Sequence, residues 1–168
     1  MAAIKTMDDL FLHTLKDIYY AERQILKTLP KMAKAAQDES LKAAFRKHRE
    51  QTQEQIERLQ QVFEALGKRA QGVTCEAING LIEEGEELIE SAQGPGPVLD
   101  AGLIAAAQAV EHYEIARYGT LLAWARTRGD KNVLGLIEAT LAEEKETDAL
   151  LNDMAESAVN QQAVGSAA

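Results

Sequence analysis

The chain holds one cysteine, three prolines and few aromatics, which make up 5% of its 168 residues. With Cys75 alone no internal disulfide framework can form, and a reducing compartment is expected. No long hydrophobic run exists either. The longest weakly polar stretch, residues 98–110, contains Asp100, Gly102 and Gln108 and is too short to span a bilayer. Residues 1–5 lack a charged segment leading into an apolar one, so no signal peptide is expected. Basic charge is also short: 18 Lys and Arg stand against 27 Asp and Glu, a net charge of −9. That balance argues against binding a phosphate backbone and for solubility or affinity for cations. No G-x-S-x-G, Walker A or H-E-x-x-H motif and no Cys/His cluster occurs. A cytoplasmic protein with no nucleic-acid or membrane partner is the expectation.

What is present is helix-forming. Ala, Leu, Glu, Gln and Lys dominate, which predicts an all-α domain large enough to bury a core of its own. Apolar periodicity and breakers place helices over 6–36, 41–66, 98–127 and 131–156, with a shorter one over 75–91. Thr6 is the expected N-cap of the first, and Pro30 should kink that helix rather than end it. Gly67 and Gly129 are the natural stops of the second and fourth segments. Gly94-Pro95-Gly96-Pro97 is the clearest breaker. The short helix carries Ile78, Leu81, Ile82, Leu88 and Ile89 on one side and reads as part of a long crossover. The expected domain covers residues 1–156. Residues 157–168, rich in Ala, Gln, Gly and Ser, are expected to form a flexible tail.

One spacing recurs. Glu22 and Gln55 are 33 residues apart, and so are Glu111 and Glu144. The midpoints fall on predicted turns near Asp38 and Arg128. Each side chain then lies about 24 Å from its turn at roughly 1.5 Å rise per residue, so the members of a pair face each other. Two such hairpins packed together bring all four side chains to one layer of a four-helix core. Glu22 lies within the apolar stripe of Leu15, Ile18, Ile25, Leu26 and Leu29, and Glu144 within that of Ile137, Leu141 and Leu151. Glu114 shares a face with Glu111, and Asp148 is one turn beyond Glu144. Buried carboxylates at one level are costly unless a cation lies between them. The pattern therefore points to a dinuclear carboxylate metal site.

The runs "YYAERQILKTLPKMA", "HREQTQEQIERL", "TCEAINGLIEEGEELIES" and "LIAAAQAVEHYEIARYGTLLAWA…TLAEEKETD" resemble the YciE/YciF group of bacterial ferritin-like stress proteins, over about residues 7–156. The resemblance implies a four-helix ferritin-like bundle with a crossover helix, a homodimer and a link to stress responses. Wider ferritin-like relatives such as rubrerythrin place a Glu on the first helix, Glu-x-x-His on the second, Glu on the third and Glu-x-x-His on the fourth. By that comparison Glu22, Glu111 and Glu144 match ligands, and Glu114 matches the second glutamate of a Glu-x-x-Glu. Gln55, Arg58 and Thr147 stand where Glu, His and His are expected. His48, two turns before Gln55, and Asp148 are the residues that could make good the loss. The candidate set is thus Glu22, His48, Gln55, Glu111, Glu114, Glu144 and Asp148. Its oxygen-rich character suits Fe or Mn, with Mg or Ca as other hard cations, and chemistry on peroxide or O₂.

Three plainer accounts compete: glutamates on the helix surface, a buried ion-pair network in which Arg58 or Arg117 supplies the charge, and a metal-free dimeric scaffold that binds a partner. His48 alone reads as a satisfied core-edge histidine, His112 as an interface residue and His13 as a surface one. Tyr19, Tyr20, Tyr113 and Tyr118 read mostly as packing residues with a polar handle, and Tyr118, one turn from Glu114, is the best placed of them to bond a ligand. Cys75 opens a helix, where the macrodipole should lower its pKa modestly.

Overall fold

Capping and burial set the helix limits, in a computed structural model that describes residues 4–166. Residues 1–3, part of the segment read as lacking a leader, and residues 167–168 of the expected tail lie outside the described residues. Helix α1 (Met7–Ala35) opens on a capping box: the Thr6 hydroxyl accepts from the Asp9 N–H, and the Asp9 carboxylate accepts from the Thr6 N–H. It runs unbroken through Pro30, which is exposed, so the carbonyl left without a donor can turn to water. Helix α2 (Glu39–Ala65) starts two residues earlier than expected, because the Asp38 carboxylate takes the Leu41 N–H at 2.9 Å and makes Glu39 and Ser40 its first turn. Gly67, at φ 65°, ends it.

Helix α3 (Glu76–Ser91) packs on α4 (Pro97–Arg128), and α5 (Lys131–Met154) follows after Gly129, at φ 79°. Along α3 only Ile78 is fully buried; Leu81, Ile82 and Ile89 are half-buried, and Leu88, expected inside, is exposed. The Ala-rich start of α4 allows close approach, and α3 is the helix that uses it. A Cβ added at Gly85 would meet Ala106 at 3.5 Å. The loop into α3 is held by the Val73 N–H on the Lys16 carbonyl and by Gly72, where a Cβ would stand 3.1 Å from that of Tyr20.

The architecture is an all-helical bundle. Helix α1 lies along α2, α4 along α5, α2 against α5 and α1 against α4. Phe11, Leu15, Ile18, Phe45, Leu59, Phe63 and Leu121 fill the interior, each contributing about 1.5–3 kcal/mol by leaving water. The segment expected as a tail is helical: a π-helical turn (Ala155–Val159) leads into α6 (Asn160–Gly165). Ala155 and Val159, four apart, are buried, and this extension packs on α4. No helix among the described residues is long and apolar enough to cross a membrane.

Candidate metal centre

Three helices, α1, α4 and α5, place carboxylates in the interior because each carries its glutamates within an apolar stripe. Burying the stripe buries the charge. Glu22, Glu111, Glu114 and Glu144 are all buried, so they are not surface charges. His48, from α2, enters the same space. Ligand atoms of His48, Glu111, Glu114 and Glu144 all lie within 4.8 Å of one another. The imidazole therefore reaches the cluster from two turns before Gln55, and not from Arg58, the position where a ferritin-like histidine was looked for.

His48 is not a satisfied core histidine. Its Nε2 lies 3.1 Å from Glu111 Oε1 without the alignment of a hydrogen bond, and neither ring nitrogen has a partner. Among the described residues nine buried side-chain nitrogens and oxygens lack a partner. All nine belong to Glu22, His48, Gln55, Glu111, Glu114 and Glu144, six of the seven residues singled out in the sequence. Native interiors leave few such groups, and each one lost from water without compensation costs about 1–3 kcal/mol, more when charged. The orphaned atoms are oxygens with two imidazole nitrogens, the donor set of a hard or intermediate divalent cation. The residues present fit an Fe or Mn centre.

Electrostatics agree. Burial, reinforced by the Glu144 carboxylate, holds Glu22 and Glu114 well above the ordinary carboxylate range. Burial, with Glu111 beside it, does the same to Glu144. Glu111 is pushed up to about 7, again chiefly by burial. Without a cation these groups favour the protonated form.

The ion-pair account fails on position. Arg58 makes a two-pronged bond to Glu143, at 2.6 Å to each oxygen, and also reaches Glu54. Arg117 lies over the Tyr113 ring and 3.8 Å from Asp17. Neither neutralises Glu22, whose Oε1 instead accepts from the Tyr118 hydroxyl. Tyr118 thus holds a site carboxylate, as its place one turn from Glu114 suggested. Gln55 donates to Glu143 at 3.0 Å and keeps its carbonyl oxygen free in the interior. Asp148 is not part of the four-residue cluster. It accepts from Gln108 at 3.1 Å and stands 3.3 Å from His112 Nε2, and His112 is itself mostly exposed. Thr147 turns its hydroxyl to the Glu143 carbonyl. His13 is half-buried rather than on the surface.

Two residues with structural roles escaped the sequence reading. Glu143 binds Gln55 and Arg58 across the α2–α5 contact; its neighbour Glu144 drew attention because only Glu144 lies in an apolar stripe. Asp100, a lone acid in an apolar run, is buried and accepts the N–H groups of Gln37 and Asp38 at 2.7 and 2.9 Å. Cys75 caps α3, but burial pushes its thiol up, outweighing the helix start expected to lower it. Its sulfur lies 3.0 Å from the Tyr113 hydroxyl, which donates to Asp17.

Comparison with known proteins agrees with this architecture. Residues 6–164 match the family described as "Domain of unknown function (DUF892)". The chain is 47% identical to Protein YciF of Escherichia coli K12 over 161 residues, covering 95% of this chain and 96% of that one. Among solved structures it is similar to the E. coli stress protein YciF (TM-score 0.89, 94% of this chain, 99% of the other). It is also similar to YcfI of Rhodopseudomonas palustris (TM-score 0.86, 52% identity, 90% and 96% covered). A Xanthomonas campestris protein at 24% identity and TM-score 0.70, with 92% and 94% covered, shares the fold. On these matches, which run through all the helices that meet at the carboxylate cluster, the chain belongs to the DUF892 family and is a relative of the stress protein YciF.

Proposed function

We propose that this is a ferritin-like protein, built of the hairpins α1–α2 and α4–α5 with α3 in the crossover, that holds two Fe or Mn ions and acts in the stress response of a bacterial cytoplasm. The observation that carries this reading is the set of nine orphaned buried atoms among the described residues, which belong to six residues, four of them with ligand atoms within 4.8 Å of one another. Glu111, Glu114, Glu144 and His48 would hold the metal, with Glu22 and the Gln55 carbonyl completing a second set of donors. Bound Fe or Mn would supply one-electron redox chemistry toward dioxygen or peroxide. The protein's own share is positional. Tyr118 fixes Glu22 through its hydroxyl, Glu143 anchors Gln55, and Asp148 bears on Glu111 from outside the cluster. The glutamates must shed protons as the cation enters, so binding strengthens as pH rises. By its likeness to the YciE/YciF group, a homodimer is the proposed assembly.

Anaerobic Mn(II) or Fe(II) titration followed by calorimetry tests the reading. Saturating metal should raise Tm, since a ligand at a hundred times its Kd adds about 2.7 kcal/mol. The rise should vanish in Glu111→Gln. No rise in the wild-type protein, or an equal rise in the variant, would overturn it.

A further inference from the structure

Beside the carboxylate cluster lies a cavity of about 30 Å³ that ends on His48 and Glu111. Its walls are Leu29, Met32, Phe45 and Leu151, and the half-buried Ala44 and Val110 lie toward the surface. Two threonines also line it, and neither aims its hydroxyl proton inward. Thr28 donates to the Gln24 carbonyl at 3.0 Å and Thr147 to the Glu143 carbonyl at 3.0 Å. The threonines can then only accept, and the lining groups without a partner are His48 and Glu111, 3.1 Å apart.

We propose that this cavity is a binding site for a small nonpolar gas molecule, dioxygen, which it delivers to the His48–Glu111 edge of the cluster. Size excludes larger ligands: about 10–15 Å³ suffices for one water, so 30 Å³ holds a diatomic molecule and not an acyl chain or an aromatic ring. Chemistry separates the small candidates. An ion would lose its hydration against apolar walls, and hydrogen peroxide would find hydrogen-bond partners at the His48–Glu111 end and lose the rest against the walls. Dioxygen has none to lose and gains dispersion contacts on every side. Space walled by apolar side chains stays dry and takes up xenon, and here the walls are apolar on every side but the His48–Glu111 end and the two threonines. The delivery half of the proposal rests on the metal reading above; the gas site itself does not.

Crystals of the metal-free wild-type protein pressurised with xenon should show one xenon between Phe45, Leu151 and His48. Ala44→Leu, which extends a side chain into the space, should lose it. Ordered water in place of xenon would overturn the gas site. In Fe(II)-loaded protein, Ala44→Leu should slow oxidation by dioxygen at least tenfold at unchanged iron content; an unchanged rate would overturn delivery. If Ala44→Leu fails to fold, the wild-type protein decides: oxidation faster with hydrogen peroxide than with equimolar dioxygen would overturn it. Absence of bound iron would remove the metal reading and delivery with it, while xenon still decides the gas site.

Discussion

Glu114 states the energetic problem of this molecule in one side chain: it is fully buried and neither of its oxygens has a partner. A group in that position destabilises the metal-free fold unless a cation compensates it. Glu114→Gln should therefore raise the stability of the chelator-treated protein at pH 8 by about 1–3 kcal/mol, read by urea unfolding. The same substitution should weaken metal binding. A destabilised variant would mean that Glu114 has a stabilising partner. The pH dependence has a definite sign. Burial raises Glu22, Glu111, Glu114 and Glu144 in the folded state, Glu111 to about 7. Below the ordinary carboxylate range both states are protonated and no penalty arises. As pH rises through that range and on toward 7, the unfolded chain releases protons that the folded chain keeps, and stability falls. The Tm of metal-free protein should thus drop from pH 5 to pH 8 and recover on adding Mn(II). A rise in Tm over that interval would contradict the burial argument.

Helices carry these side chains to one level, and their junctions decide how firmly. Asp100 on α4 accepts two N–H groups from the three-residue connection between α1 and α2, so it ties that connection to a helix remote in sequence. Asp100→Ala should cost about 2–3 kcal/mol in unfolding free energy, because two backbone N–H groups lose a charged, buried acceptor. A loss below about 0.5 kcal/mol would show that water replaces the carboxylate. At this scale much was legible. Thr6, Gly67 and Gly129 mark helix ends by capping chemistry, and the structure uses all three. The extension past Ser157 was not legible, because Ala155 and Val159 are the only pair buried there and the other apolar residues keep no common face. Its packing on α4 stabilises that turn, not any local periodicity. Leu88 erred in the opposite direction: it lies on an apolar stripe near the C-terminal end of α3 and borders Gly102 of α4, yet it stays exposed.

Across the whole molecule, the spacing of 33 residues in each half placed the buried layer correctly, because helix rise is uniform and the turns sit at the midpoints. What spacing could not convey is which side chains would point at one another. His48 reaches the cluster from a position that a fixed Glu-x-x-His pattern overlooks, while Arg58, on a pattern position, leans to Glu143 and leaves the glutamates without a cation. Rotamer and tilt decide such matters, and neither is written in periodicity. The central claim is that this unneutralised core is completed by metal. It is tested most directly by elemental analysis after anaerobic loading with Fe(II) and Mn(II) and desalting, with Glu144→Ala alongside. The account predicts about two metal ions per chain in the wild-type protein and loss of both in the variant. No retained metal in either protein would contradict it and leave a metal-free helical scaffold as the better description.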